Sequence, residues 1–155
     1  MRGMNVPSCP YTPEMDSIGQ LIAMVRGELV RGLERALAEL GMDLRYTQFL
    51  VIKRLAACGP MSATELAKAS EMDGGAMTRL LDQLEAKGYL RRRPHEQDRR
   101  ALRIELTEAG EAIWTHMSTA HKAMLEEAQR ELSQEERAQL RDYLQRMLGV
   151  LRDKD

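Results

Sequence analysis

The sequence predicts a mainly α-helical chain of α+β class. Six stretches place apolar residues three and four apart, and one stretch near residues 89–106 drops to a spacing of two. The order adds a third observation: short helix, turn, helix and two-stranded ribbon, between long amphipathic helices. That order is a winged helix-turn-helix with helical extensions.

Residues 1–13 hold Pro7, Pro10 and Pro13, three of the five prolines, and read as an extended lead. A first helix is expected over 14–40, from Ile18, Leu21, Ile22, Val25, Leu29, Leu33, Leu37 and Leu40, with Gly41 as its stop. Gly19, Gly27 and Gly32 lie inside it. Each costs about 1 kcal/mol relative to Ala, which suggests a bend or a second helix coming close. A second helix runs over about 46–57 and ends before Gly59-Pro60. Ser62-Ala63-Thr64-Glu65 is a capping box: the Ser62 hydroxyl accepts from the Glu65 amide while the Glu65 side chain reaches back. It opens a short helix, and 70–73 turn into another that starts near Asp73 or Gly74 and runs to Lys87. The apolar face of that helix is Met77, Leu80, Leu81 and Leu84, and Gly88 closes it.

Tyr89–Arg93 and Ala101–Leu106 read as two short strands, with Leu102, Ile104 and Leu106 alternating against Arg103 and Glu105. Thr107 caps a long helix with the stripe Ile113, Trp114, Met117, Met124, Leu125 and Leu132. Ser133-Gln134-Glu135-Glu136 is a second capping box, opening a last helix with Leu140, Tyr143, Leu144, Met147, Leu148 and Leu151. The expected organisation is a lead over 1–13, a dimerisation helix over 14–45, a winged helix-turn-helix over 46–107 and C-terminal dimerisation helices over 108–152.

A chain of 155 residues buries roughly 70% of its unfolded surface and needs no metal or disulfide staple. Two cysteines, Cys9 and Cys58, make no disulfide framework. Apolar runs such as Phe49–Ile52 fall far short of the roughly 20 residues that span a bilayer, and MRGMNVPSCP lacks a signal-peptide core. The expectation is a cytoplasmic protein without a membrane partner. No nucleophile–base pair, phosphate loop or paired-carboxylate motif stands out, so no enzyme activity is expected. His116 and His121 are five apart and do not share a helical face, so no metal is expected; no cofactor is implied either.

Charge is the more informative property. Lys and Arg number 23, Asp and Glu 24, for a net charge of -1. Residues 87–103 hold Lys87, Arg91, Arg92, Arg93, Arg99, Arg100 and Arg103 against Glu96 and Asp98, net +5; residues 1–86 carry -2 and residues 104–155 carry -4. A charge run can be only a solvated face. Here six of the seven cations are arginine, on a hairpin that follows a helix-turn-helix. Arg suits bidentate phosphate contacts, and phosphate neutralisation dominates affinity for DNA. Double-stranded DNA is therefore the expected partner.

Ser62 to Thr107 resembles the MarR family of bacterial transcription regulators. SATELAKASEM (62–72) is similar to the first helix of its helix-turn-helix, and GAMTRLLDQLEAKGYLRRR (75–93) to its recognition helix entering the wing. DRRALRIELTEAG (98–110) carries the wing signature: Asp98, Arg100, Leu106 and Thr107. The flanking helices extend the resemblance over most of 14–152. Where the family often has a capping Thr entering the second helix, this chain reads Leu44-Arg45-Tyr46-Thr47-Gln48, which shifts the cap by a residue or two.

The first turn of the recognition helix should face the major groove. Gly74, Gly75 and Ala76 allow close backbone approach, and helix-terminal amides, including those after Ser62, suit phosphate. Thr78 suits a thymine methyl or a phosphate, and Arg79 a guanine edge or a phosphate; the alternative for Arg79 is an exposed pair with Asp82 or Gln83. The resemblance implies that Arg100 enters the minor groove with Asp98 holding it, and narrow minor grooves do favour inserted Arg. The alternative is an Asp98–Arg100 pair that only staples the hairpin. Arg99 and Arg103 are expected on phosphates. Arg91, Arg92 and Arg93 alternate faces, so one or two of them, with Arg91 and Arg93 on one side, should point to DNA.

The first, fifth and sixth helices carry more apolar surface than the winged domain can cover. An isologous homodimer would bury it and read a pseudo-palindrome with half-sites about one helical turn apart; packing within one chain is the alternative. The resemblance further implies a repressor, nucleoid-associated when bound, that is released by a small aromatic or phenolic effector held between the lobes. Ile22, Met24, Arg26, Tyr46, Gln48, Met61 and Trp114 are the candidate lining, with Arg26 placed to meet a carboxylate. Two other readings stay open. One is a helical protein-interaction module that kept the winged fold. The other is a thiol-redox-responsive regulator acting through Cys9, although Cys9 lies among prolines before the first helix.

Overall fold

The computed structural model describes residues 17–97 and 101–153. Ser17 caps α1 (Ile18–Glu39) by accepting from the Gln20 amide at 3.2 Å. Then follow α2 (Tyr46–Cys58), α3 (Ala63–Ala69), α4 (Gly74–Ala86), β1 (Leu90–Pro94), β2 (Leu102–Leu106), α5 (Glu108–Ala128) and α6 (Gln134–Arg152). The expected stops stand: Gly41 and Gly88 take φ of 74° and 78°, in the left-handed region that favours glycine. The lead at 1–13, and with it Cys9, lies outside the described residues.

The entry to α2 is capped from two sides. Gln48 Oε1 accepts from the Arg45 amide at 3.1 Å, and Glu34 Oε1, from α1, accepts from the Tyr46 amide at 2.9 Å. Both boxes read from the sequence form, with Ser62 and Ser133 accepting from the amides of Glu65 and Glu136. The strands pair antiparallel with Leu90 opposite Leu106 and Arg92 opposite Ile104. Met61 adds a bridge the sequence did not announce, exchanging two backbone hydrogen bonds with Ile104 at 3.0 and 2.8 Å. The ribbon is thereby anchored to the loop that enters α3.

One expectation needs correction. Leu132 does not belong to the α5 stripe, because α5 stops at Ala128. The turn that follows is pinned by Arg137, whose guanidinium donates to the carbonyls of Leu132 at 3.0 Å and Gln129 at 2.6 Å.

The core joins Leu33 and Leu37 of α1, Phe49, Val51 and Ile52 of α2, Leu66, Met77, Leu81, Leu84, Leu90, Ile104 and Met117. Two glycines mark close approaches. A Cβ on Gly32 would meet the Met124 sulfur at 3.2 Å, where α1 crosses α5; Gly19 and Gly27 meet no second helix. A Cβ on Gly110 would lie 2.0 Å from the Tyr89 carbonyl oxygen. That contact seats α5 against the base of the ribbon, with Thr107 accepting from the Gly110 amide and donating to the Gly88 carbonyl. By contrast α6 buries no residue: Leu140, Tyr143, Leu144, Met147 and Leu148 are exposed, as are Ile18, Leu21, Ile22 and Val25 of α1. Among the described residues no helix is long and apolar enough to cross a membrane.

Candidate nucleic-acid interface

The N-terminal turn of α4 is built to stand open. Asp73 caps it by accepting from the Ala76 amide at 3.1 Å. Gly74, Gly75, Ala76, Thr78 and Arg79 are all exposed, while Met77, Leu80, Leu81 and Leu84 anchor the opposite face. Thr78 donates its hydroxyl to the Gly74 carbonyl at 3.0 Å. Arg79 makes no ion pair among the described residues. Asp82 is engaged by Arg92, and Gln83 accepts from Gln48 at 3.1 Å. The guanidinium of Arg79 therefore extends from the helix unclaimed by either neighbour.

The ribbon divides its arginines between two faces, as the register requires. Arg91, Arg93, Arg103 and Glu105 share one face; Leu90, Arg92 and Ile104 share the other. On the first, Arg91 donates through Nε to Glu105 Oε1 at 2.5 Å, and Arg93 Nε forms an ion pair with the same oxygen at 2.7 Å. Arg103 donates to Glu65 Oε2 at 2.6 Å. Glu65 thus serves both the α3 cap and the ribbon. The Ser62 backbone amide, then the Ser62 hydroxyl, hold its carboxyl below the usual carboxylate range, with Arg103 adding to the effect and desolvation opposing it. Arg92 pairs with Asp82 at 2.6 Å and with Glu85. Lys87 donates to the Asp43 carbonyl at 2.6 Å and lies 3.5 Å from its carboxylate.

Every described cation of the basic segment thus has a carboxylate partner. The sequence count missed this because those acids come from the loop before α2, from α3, from α4 and from β2, all outside 87–103. Outside the Arg92 pairs, each keeps one partner exposed and the other half-buried; pairs open to solvent are worth about 1 kcal/mol or less, so exchanging a carboxylate for a phosphate costs little. Asp98, Arg99 and Arg100, the expected wing tip, lie outside the described residues.

The seven residues expected to line an effector cleft do not share one. Ile22, Arg26 and Tyr46 line an apolar groove of about 560 Å³ between α1, α5 and α6, with His121 and Met147. Met24 is exposed and does not line it. Gln48 is buried and spends its side chain on the α2 cap and Gln83. Met61 is bridged to Ile104, and Trp114 lines a separate cleft with Pro60 and Arg91. His121 adds an imidazole to the polar groups Arg26 and Tyr46 of this groove, a placement that its position in the sequence does not reveal. Its ring packs 4.9 Å from that of Phe49, and burial, aided by Lys53, holds its pKa below the ordinary value.

A short helix, a turn, an exposed second helix and an arginine-rich ribbon anchored to both define a winged helix-turn-helix. Comparison with known proteins is more specific. The MarR family model matches residues 44–102. The multiple antibiotic resistance protein MarR of Salmonella typhimurium is 38% identical over 100 residues, 64% of this chain and 68% of that protein. The HTH-type transcriptional regulator SarZ of Staphylococcus epidermidis is 32% identical over 127 residues, 82% of this chain and 83% of its own length. Among solved structures, a mutant MarR from E. coli complexed with operator DNA superposes with a TM-score of 0.78 at 32% identity, covering 87% of this chain and 96% of that one. The chain belongs to the MarR family.

Proposed function

We propose that this chain is a DNA-binding transcription regulator that acts as a homodimer. The observation that carries the reading is the open first turn of α4. It has small residues at Gly74, Gly75 and Ala76 and an Arg79 without an ion pair among the described residues, beside a ribbon whose arginines are already arrayed. The superposition on a relative solved with operator DNA supports the same reading. In it, Thr78 and Arg79 meet base edges or phosphates, the amides after Ser62 and Asp73 meet phosphates, and Arg91, Arg93 and Arg103 exchange their carboxylates for backbone phosphates. Arg100, Arg99 and Asp98 supply the wing contacts that the family resemblance implies.

The uncovered faces of α1 and α6 support the dimer, with 14–45 and 108–152 as its dimerisation parts. Two-fold pairing presents two recognition helices to a pseudo-palindromic operator. We further propose a repressor, held in the cytoplasm with the nucleoid, that a small aromatic or phenolic acid releases. The apolar groove that Arg26 and Tyr46 line is where such an effector would sit. To act, it must bind the low-affinity form better than the DNA-bound one.

The test is titration of a randomised double-stranded DNA pool at two salt concentrations. Log affinity should fall steeply with log salt, and Arg100→Ala should flatten the slope by about one unit or less. Absent or salt-insensitive binding would overturn the reading in favour of a protein-interaction module. Small aromatic carboxylic acids added to the bound complex should lower DNA affinity; binding without that change would remove the effector from the account.

A further inference from the structure

Arg92 differs from the other arginines of the ribbon. It lies on the core-side face, opposite buried Ile104, and its side chain is only 23% exposed, against 50% for Arg91 and 56% for Arg93. Its guanidinium leaves the ribbon towards α4, where Nη2 donates to Asp82 and Nη1 to Glu85. Those two carboxylates sit three residues apart on α4, outside its buried set of Met77, Leu80, Leu81 and Leu84, one above the other as helical spacing dictates. A planar fork of donors matches two stacked acceptors in a way that the point charge of a lysine does not.

The charge of the cluster decides its role. One guanidinium with two carboxylates carries net -1, so the trio repels a phosphate. Each terminal nitrogen of Arg92 gives one N–H to an acid, so a phosphate approaching its remaining donors would also face both carboxylates. We infer that Arg92 is a positioning residue: it bridges the wing to the recognition helix and fixes how far apart the two DNA-reading elements stand. This rests on the DNA-binding reading above and deepens it. Fixed spacing lets major-groove and wing contacts form together on one duplex, so the bridge governs discrimination between sequences more than total affinity.

The experiment uses the full chain and a duplex that the wild type selects from a randomised pool. It compares wild type with Arg92→Gln, with Asp82→Asn/Glu85→Gln, and with all three changes together. The readouts are the affinity ratio of selected to unselected duplex, and the salt slope. We expect Arg92→Gln to lower the ratio roughly tenfold, the acid pair to lower it similarly, and the triple change to go no further, as members of one bridge do. The salt slope for Arg92→Gln should match wild type, because no phosphate contact is lost. Arg92→Lys, which keeps the charge and the fold but not the fork, should give an intermediate ratio.

A slope lower by about 0.9 in Arg92→Gln would make Arg92 a direct phosphate contact and overturn the inference. Additive losses, an unchanged ratio, or a full wild-type ratio in Arg92→Lys would overturn it as well. In each of those cases the DNA-binding reading stands. A wild type that selects no duplex overturns that reading, and this inference with it.

Discussion

The lobe from α2 to β2 and the last helix are built from the same kind of sequence, yet they end differently. Phe49, Ile52, Leu66, Met77, Leu81, Leu84, Leu90 and Ile104 all reach the interior of one core. In α6, Leu140, Tyr143, Leu144, Met147 and Leu148 recur at the same helical spacing and not one is buried. Amphipathic periodicity fixes which face of a helix is apolar; what covers that face is a separate question. In the lobe the cover comes from neighbouring elements of the chain. For the exposed faces of α1 and α6 the proposed cover is a second copy, since contiguous exposed apolar surface of this kind marks an association site.

Breaking the lobe should have the largest effect. Phe49→Ala removes a ring that touches Tyr46, Trp114 and His121, and should cost about 3–5 kcal/mol in urea unfolding. Gly110→Ala drives a methyl into the Tyr89 carbonyl and should cost about 1–3 kcal/mol or more, visible as a lower unfolding midpoint. Ser62→Ala removes one half of a capping box and should cost about 1 kcal/mol.

At the other region the readout changes. Leu144→Asp should leave the helical circular dichroism of the chain intact while lowering its mass in light scattering from about twice 17.6 kDa to a single chain. An unchanged mass would place the interface away from α6. A smaller effect sits at the junction of the two regions. His121 has a folded-state pKa below its unfolded value. Below the ordinary value of about 6.5 the unfolded chain takes up the proton first, so the neutral ring supports stability above that pH. The contribution is lost as pH falls through the lowered folded value. Stability followed from pH 7.5 down to about 5 should decline, and His121→Phe should remove part of that slope; an identical slope in the variant would clear His121 of the effect.

What the sequence made legible was local. The boxes at Ser62–Glu65 and Ser133–Glu136, the glycine stops, and the open face of α4 each depend on residues within four positions of one another. The wing signature carried the family from one contiguous stretch, Asp98 to Thr107. What stayed hidden depends on register and tertiary approach. Met61 meets Ile104 only because a loop folds back on β2. Glu105 gathers Arg91 and Arg93 because one strand sets both on its face. Arg92 turns to α4 because it is one residue out of phase with them. The effector residues scatter for the same reason: the side chain of Gln48 and the backbone of Met61 are already committed to tertiary partners.

The central claim is that one chain holds a closed lobe that meets DNA and open helical ends that meet a second copy. It is tested most directly by the mass of the complex with a selected duplex, measured by light scattering in solution. Two chains per duplex, lost together with affinity in Leu144→Asp, is the expected result. One chain bound as tightly as two, or full affinity in a monomeric Leu144→Asp, would contradict it.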